Sequence, residues 1–195
     1  MLAHHDELIG IMDFLRRAEG LKDTLRLAWT TNGRQESAAE HSWRLTLFAM
    51  LAGRYFPELD QLVVLKMSVI HDLGEIIGGD IPAPEQQGSK AGQEREDLRN
   101  LLRPLPEELR TELMDLWEDY EAARTPEARL VKALDKFETL MQHSQGPDMP
   151  KIDFAFNLHY GEQYTRGNEL FDLMREVLDQ ETECCLLARN GRDAA

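Results

Sequence analysis

The chain has 195 residues, of which 42% are hydrophobic and 30% are charged. It is therefore large enough for one globular domain, and its composition is not that of a disordered protein. Its 22 basic and 36 acidic residues give a formal net charge of −14. So acidic a surface argues against binding to nucleic acid polymers through their phosphates and against docking on an anionic membrane. A small phosphorylated ligand stays compatible, because one local cation can outweigh the field of the whole surface.

The start of the chain and its cysteines favour a cytoplasmic protein. The N-terminal segment lacks the basic start and the long apolar run of a signal peptide. Uninterrupted apolar runs are far shorter than the roughly 20 residues that span a membrane. Cys184 and Cys185 are the only cysteines, and adjacent cysteines seldom pair with each other. We therefore expect a cytoplasmic location and no disulfide framework.

Residues that favour helices dominate the chain, and no stretch alternates apolar and polar residues as a half-buried strand would. Helical spacing of apolar residues predicts a first helix over about His5–Ala18, and a short helix or turn near Leu21–Leu27. Residues 30–36 are polar and are expected to form a loop. Ser37 and Glu40 match a capping box, which predicts the start of the next helix.

The centre of the chain predicts a buried helix. The helix that begins after Ser37 is expected to run to about Arg54, and the following helix, about Leu59–Ile77, is apolar on several faces, as in the middle of a bundle. Gly78-Gly79 is expected to end it, with a loop at Pro82 and Pro84. Beyond this loop lie an aromatic stretch at 154–164 and further predicted helices over Ala91–Leu102, Pro106–Ala122, Pro126–Gln142 and Asn168–Leu187. The pattern predicts an all-α fold with a single-domain bundle of six to eight helices over residues 1–189, and a frayed tail over 190–195.

Polar residues capable of binding metal interrupt the apolar pattern of three helices. His71-Asp72 lies within the most apolar helix, where an ionised aspartate is costly unless it is paired or metal-bound. His41 and Asp135 lie on the inward stripes of two other helices. Each of them alone also has a structural interpretation, as a hydrogen-bonded core residue or half of an ion pair. Together, two imidazoles and two carboxylates suit one divalent transition metal with open coordination positions.

The order H…HD…D resembles the signature of the HD-domain metal-dependent phosphohydrolases. The run H-D-x-x-E-x-x-x-G-D-x-P at residues 71–82 is similar to the branch of that superfamily that contains bacterial 5′-deoxynucleotidases. The similarity of order and spacing extends over roughly residues 8–145. It implies a helical HD-type domain with its metal site among the central helices.

The resemblance also implies a role for each matching residue. His41, His71, Asp72 and Asp135 would hold the metal ion. Glu75 would position or activate the attacking water or protonate the leaving oxygen, and Asp80 would orient that water or contact the sugar. The metal would be one divalent transition ion, either Mn, Co, Fe, Ni or Zn, with Mg as a further candidate.

An arginine upstream of the first metal histidine binds the phosphate in this family. Arg26 stands at the matching distance in this chain, and Arg34 in the following loop is a second candidate. The 5′-deoxynucleotidases that the chain resembles have a tryptophan directly after that arginine. This chain has Leu27 there and Trp29 two residues further on, so Trp29 is a candidate substrate contact and the base and sugar preference stay open.

The resemblance implies an enzyme, a metal-dependent phosphomonoesterase that removes phosphate from (deoxy)nucleoside 5′-monophosphates and forms a homodimer. Two alternatives stay open at this point. One is an HD phosphohydrolase that acts on a triphosphate, a cyclic nucleotide or a non-nucleotide phosphoester. The other is a catalytically silent nucleotide-binding protein, against which Glu75 and Asp80 argue because binding alone does not need them.

Overall fold

The structure is a computed structural model. It describes the backbone of residues 2–81 and 90–193, and within these ranges the side chains of residues 4–81 and 92–192. The predicted loop at Pro82 and Pro84 lies outside the described residues. None of the described helices combines the length and the apolar character that crossing a membrane requires.

The chain begins with a helix and a small β-hairpin. Helix α1 spans Leu2–Ala18 and is followed by a 3₁₀ turn over Glu19–Lys22. Strand β1, Leu25–Trp29, pairs in antiparallel fashion with strand β2, Gln35–Ser37. The predicted short helix or turn over Leu21–Leu27 is therefore wrong beyond residue 22. Pairing with β2 and packing on a later helix set the conformation of this five-residue segment, and neither contact can be read from its own sequence.

A tight turn joins the two strands and confirms only part of the predicted loop at 30–36. Gly33 donates its backbone N–H to the carbonyl of Thr30 over 2.8 Å, with a positive φ of 80° that glycine adopts at little cost. Gln35 and Glu36 belong to β2 and not to the loop.

Three helices follow the hairpin in the chain. Helix α2, Ala38–Ala52, begins with the predicted capping box, in which Ser37 and Glu40 each accept a hydrogen bond from the backbone of the other. Helix α3 spans Gln61–Ile70, and the short helix α4 spans Glu75–Gly78.

The predicted continuous helix over Leu59–Ile77 is wrong, because a four-residue turn at 71–74 separates α3 from α4. The N–H of Leu73 bonds to the carbonyl of Ile70 at 3.0 Å, a tighter spacing than that of an α-helix. Gly74 lets the neighbouring helix approach this turn closely, since a Cβ at this position would lie 2.8 Å from the carbonyl oxygen of Glu94.

Between residue 90 and the last helix, the described chain contains three long helices and two short ones. Helix α5 spans Lys90–Leu102, helix α6 spans Glu107–Glu121, and helix α7 spans Pro126–Gln145. The short helices α8, Phe154–Asn157, and α9, Glu162–Thr165, occupy the aromatic stretch.

The last helix is longer than its sequence pattern predicts. Helix α10 spans Glu169–Asp193, beyond the expected end at Leu187 and through most of the expected frayed tail. Its inward Arg175 is fully buried and donates to the carbonyl oxygens of Asn157 and Tyr160 at 2.7 Å. These bonds tie α10 to α8 and to the segment between α8 and α9. The domain limit at residue 189 stays a prediction.

Helix α7 lies at the centre of the molecule and contacts α2, α3, α6, α9 and α10. Its apolar stripe of Val131, Leu134, Phe137 and Leu140 is almost completely buried in the larger of two hydrophobic clusters. Within the described residues, seven helices have ten residues or more, which confirms the predicted all-α bundle apart from the β-hairpin. The arrangement places polar residues of α2, α3 and α7 against one another in the interior.

Candidate metal centre

Four residues from two helices and one turn meet at one buried point. His41 lies in the first turn of α2, His71 and Asp72 begin the turn after α3, and Asp135 lies in the middle of α7. His41 is almost completely buried, and His71 and Asp135 are also buried. Asp72 retains 16% of its side-chain exposure, so the cluster opens toward solvent on its side. The structure therefore brings together all four side chains that the sequence predicts as metal ligands.

Nitrogen and oxygen atoms face one another at close range in this cluster. The Nε2 atom of His41 lies 3.3 Å from Nε2 of His71 and 3.2 Å from Oδ1 of Asp135. Oδ1 of Asp72 lies 3.1 Å from Nε2 of His71, and Oδ2 of Asp72 lies 3.8 Å from Nε2 of His41. Ligand atoms of His41, His71 and Asp72 all lie within 4.8 Å of one another, which is close enough to share one ion.

The outer nitrogen of each imidazole sets its tautomer. His71 Nδ1 lies 3.1 Å from the carbonyl oxygen of Ser68, which can only accept, so Nδ1 carries the hydrogen. His41 Nδ1 contacts Oε2 of Glu138 in the same way. The Nε2 atoms of both rings then face each other and two carboxylates, so these atoms can share one cation, either a proton on His41 or a metal ion. The donor set fits a divalent metal ion.

The break between α3 and α4 explains why two consecutive residues converge. Side chains of neighbours on a helix diverge by about 100°. After Ile70 the backbone hydrogen bonds join residues three apart instead of four, as in the bond from the N–H of Glu75 to the carbonyl of Asp72 at 2.9 Å. The indole N–H of Trp117 donates to the carbonyl of His71 at 3.1 Å and holds this turn against α6.

The second oxygen of Asp135 is held by two donors. The hydroxyl of Tyr120 and the ammonium of Lys136 each donate to Oδ2 at 2.8 Å. Oδ1 is left facing His41, so the carboxylate presents one oxygen to the centre. Tyr120 and Lys136 thus fix the orientation of a candidate ligand, as outer-shell partners do in metal sites.

Charges in the cluster move the pKa values of the candidate ligands. Burial and Arg26 lower the pKa of His41, but the carboxylates of Glu138 and Asp135 outweigh them and raise it to about 10. Burial raises the pKa of Asp72, yet the imidazoles of His71 and His41 hold it well below its usual range. Burial likewise raises the pKa of Asp135, and Lys136 and His41 more than offset this, so its pKa lies well below the usual value. Both aspartates are therefore anions that attract a cation.

Arg26 on β1 reaches the edge of this cluster. Its guanidinium donates to Glu36 at 3.1 Å and to the hydroxyl of Thr139 at 3.0 Å, and its Nε lies 3.5 Å from Oδ2 of Asp80. Burial lowers the pKa of Arg26, but the surrounding carboxylates, first Glu138, raise it above its usual value. Arg26 is thus a permanent cation beside the centre, 11% exposed in its side chain.

The structure places the remaining predicted residues at different distances from the cluster. Glu75 is buried at the start of α4, and Asp80 follows that helix and faces Arg26. Arg34 is 60% exposed and forms a double ion pair with Glu40, and the backbone carbonyl of Trp29 accepts a hydrogen bond from Gln142. The structure therefore brings Arg26 to the centre, whereas Arg34 stays at the surface.

Arg34 instead lines a cleft of about 330 Å³ whose walls come from the hairpin, α2 and α7. The exposed ring of Trp43 and the side chains of Glu40 and Arg44 form other parts of its wall. Glu36 lines it too and also contacts Arg26, so the cleft adjoins the inner network of charges.

The comparison with protein families gives a clear result. The model of the family described as "HD domain" matches residues 18–175, which contain every residue of the cluster. The chain belongs to the HD-domain family. This membership confirms the resemblance inferred from H…HD…D.

Curated relatives of this HD domain carry related names. The 5′-deoxynucleotidase HDDC2 of Homo sapiens is 34% identical over 144 residues, which are 72% of this chain and 70% of the relative. The 5′-deoxynucleotidase hdd1 of Schizosaccharomyces pombe is 36% identical over 143 residues, 69% of this chain and 71% of the relative. Among solved structures, a "predicted metal-dependent phosphohydrolase" from Magnetospirillum magnetotacticum is similar with a TM-score of 0.77. It is 28% identical, over 92% of this chain and 97% of that one.

Sequence reasoning missed Glu138 in this HD domain. Its side chain is 1% exposed and contacts His41, Arg26 and Arg44. The available signal was its position three residues after Asp135, on the same face of an otherwise apolar helix. Burial raises the pKa of Glu138, but His41 and the two arginines outweigh it and lower the pKa to about 2. Glu138 is therefore a buried anion with three cationic or donor partners.

Proposed function

We propose that the chain is a metal-dependent phosphohydrolase that removes phosphate from (deoxy)nucleoside 5′-monophosphates. One observation carries this proposal. Two imidazole Nε2 atoms and two carboxylates converge at a point that opens beside a buried arginine. Such a centre offers both a cation site and a fixed positive charge, the two features that a phosphomonoester dianion requires. The 5′-deoxynucleotidase names of the relatives support the substrate class.

The proposed cofactor is one divalent transition metal held by His41, His71, Asp72 and Asp135. Mn, Co, Fe, Ni and Zn all accept such a mixed set, with Mg as a further candidate, and cellular supply can decide among them. When bound, the ion supplies Lewis acidity that neutralises phosphate charge and acidifies water.

The other side chains supply positioning and proton transfer. Arg26 has a forked guanidinium that can bind two non-bridging phosphate oxygens, and its contact with Asp80 fixes its orientation. Glu75 would accept a proton from the attacking water or return one to the leaving oxygen, a contribution of roughly 10²–10⁴ in rate. Asp80 would orient water or contact the sugar. Arg34 is exposed and paired with Glu40, so Arg34 and Trp29 stay predictions as substrate contacts.

We also propose that the enzyme is cytoplasmic and forms a homodimer. A cytoplasmic location is supported by the two free cysteines at 184 and 185. A homodimer is supported by α1, where Leu8, Met12 and Leu15 form an exposed apolar stripe with helical spacing. Light scattering of the purified chain with its metal tests the assembly, because a dimer has twice the mass of the chain.

Phosphate release tests the proposed activity. Metal-stripped protein is refilled with Mn, Co, Zn or Mg and incubated with ribo- and deoxynucleoside 5′-monophosphates, with Asp72→Ala as the blank. The proposal expects metal-dependent release with a preference for the deoxy sugar. Bound metal without release from any monophosphate would contradict it, and triphosphates and cyclic nucleotides in the same panel would then identify another phosphoester. Tight nucleotide binding without any hydrolysis would indicate a silent binding protein.

A further inference from the structure

The carboxylate of Glu138 joins the candidate metal centre to the candidate phosphate-binding arginine. Its Oε2 contacts Nδ1 of His41 and lies 3.4 Å from Nη1 of Arg26. Its Oε1 accepts a hydrogen bond from Nε of Arg44 at 2.5 Å. One buried side chain therefore has separate partners on each of its two oxygens.

We propose that Glu138 is a positioning residue, which holds His41 in its metal-binding tautomer and holds Arg26 at the distance needed to bind phosphate. The metal-binding part depends only on the cluster of donor atoms. The phosphate-binding part rests on the proposed function.

The tautomer argument follows from what each atom can donate or accept. An ionised carboxylate only accepts hydrogen bonds, so its contact with His41 Nδ1 requires a hydrogen on that nitrogen. The lone pair of the neutral ring is then on Nε2, which faces His71 and Asp135. A group that donated to Nδ1 would favour the opposite tautomer, whose Nε2–H cannot bind a metal.

The contact between Glu138 and His41 is buried, unlike an ion pair at the surface, which contributes little to stability. His41 and Glu138 each expose 1% of their side chains, so water cannot replace the carboxylate at Nδ1. Arg44 anchors the other end of the carboxylate on α2, the same helix that carries His41. Through His41 and Arg44, Glu138 thus fixes α2 relative to α7 where these two helices contribute the candidate ligands His41 and Asp135.

Glutamine has nearly the same shape as glutamate, so the substitution Glu138→Gln can distinguish a positioning residue from a purely structural ion pair. An amide has one accepting oxygen, so it can serve His41 or Arg44 but not both. If its NH₂ faces His41, the ring is driven to the tautomer that cannot bind metal. A purely structural ion pair would change the unfolding temperature and leave metal affinity as it is in the wild type.

The test measures Mn²⁺ binding to metal-stripped protein by calorimetry. We expect the dissociation constant to rise 10- to 100-fold in Glu138→Gln, the range for loss of an outer-shell partner. The matched control is Glu112→Gln, which removes an exposed carboxylate paired with Lys66 and should bind Mn²⁺ within twofold of the wild type. Circular dichroism confirms that each variant is folded. A folded Glu138→Gln that also binds Mn²⁺ within twofold of the wild type would overturn the proposal.

A second measurement avoids the variant altogether. Nitrogen NMR of the Zn²⁺-loaded wild type should find the His41 ring protonated on Nδ1 and unprotonated on Nε2. A ring protonated on Nε2 would overturn the tautomer assignment even if Glu138→Gln does not fold.

The phosphate-binding part has its own readout. We expect the inhibition constant of inorganic phosphate, or KM for a deoxynucleotide, to rise at least threefold in Glu138→Gln measured at saturating Mn²⁺. An unchanged value would overturn this part alone. If the wild type hydrolyses no nucleotide but Glu138→Gln loses Mn²⁺ affinity, the proposed function fails and the positioning role of Glu138 stands.

Discussion

The Nε2 atoms of His41 and His71 lie 3.3 Å apart in the interior of the protein. Both rings use Nδ1 to donate a hydrogen bond outward, His41 to Glu138 and His71 to the carbonyl of Ser68. Two Nε2 atoms therefore meet in a buried site beside the carboxylate of Asp135, and without a metal ion a proton on His41 supplies the positive charge between them. Such an arrangement is stable when a cation is shared among these atoms, and this has a direct consequence for stability.

Removal of the metal should destabilise the fold. A ligand present at about 100 times its dissociation constant contributes about 2.7 kcal/mol to the free energy of unfolding. For a chain of this size, that corresponds to a fall of roughly 5–10 °C in the unfolding temperature after chelation. Scanning calorimetry before and after treatment with a chelator measures it. Asp72→Asn is the control, since it should have the lower temperature from the start and not respond to the chelator.

Asp72→Ala should remove metal and activity together. The substitution takes away a carboxylate with an oxygen 3.1 Å from Nε2 of His71. We expect bound metal, measured by elemental analysis after gel filtration, to fall below a tenth of the protein concentration, and phosphate release to fall with it. Retention of one metal ion per chain by this variant would mean that Asp72 is not a ligand.

Glu75→Gln should separate metal binding from activity. Glu75 begins α4, after the turn that carries His71 and Asp72, and is not one of the four proposed ligands. We expect kcat to fall roughly 10²–10⁴-fold, the size of a general acid–base contribution, while bound metal stays near the wild-type level. Full turnover in Glu75→Gln would contradict the assignment, whatever its metal content.

Arg26→Lys and Arg34→Lys should differ sharply. Arg26 uses Nη1, Nη2 and Nε to contact separate partners, and a lysine offers one point charge in place of that fork. We expect kcat/KM to fall roughly 10- to 100-fold, because hydrogen bonds to charged groups contribute about 1.5–3 kcal/mol. Arg34 is exposed and paired with Glu40, so its variant should stay within twofold of the wild type. Equal losses in the two variants would place the phosphate nearer the hairpin turn.

Much of the fold and of the cluster was predictable from local signals. The capping box of Ser37 and Glu40 lies within one turn, and its geometry follows from four consecutive residues. His41 and Asp135 lie on apolar stripes, so their inward direction follows from helical periodicity. The all-α class, the family and the four converging side chains are consistent with these local patterns.

Features that depend on contacts between distant segments were not predictable. Strand β1 forms because residues 35–37 lie beside it, and its five residues alone carry no strand pattern. The turn at 71–74 was missed because Leu73 continues the apolar run and Gly74 is tolerated in a helix. Glu138 was missed because its partners come from β1 and α2, both far away in the sequence.

His143 should make the stability of the protein fall in mild acid. Its Nε2 donates to the carbonyl of Leu27 on β1 at 3.1 Å, and its Nδ1 accepts from the amide of Asn157 at 3.0 Å. Burial lowers the pKa of His143 most, and the charge of Arg26 lowers it further, to about 4. In the unfolded chain its pKa is about 6.5. The folded state therefore resists protonation that the unfolded state accepts.

The sign of the effect follows from linkage. Above pH 6.5 the ring is neutral in both states, and the neutral ring contributes its full stability. As the pH falls from 6.5 to about 4, only the unfolded state gains this proton, so the free energy of unfolding decreases by up to about 3 kcal/mol. Urea unfolding of the wild type and of His143→Gln across this range isolates the contribution, because other titrating groups are common to both. Parallel curves for the two proteins would show that His143 titrates normally in the folded state, whereas convergence toward pH 4 would confirm the neutral ring between β1 and α8.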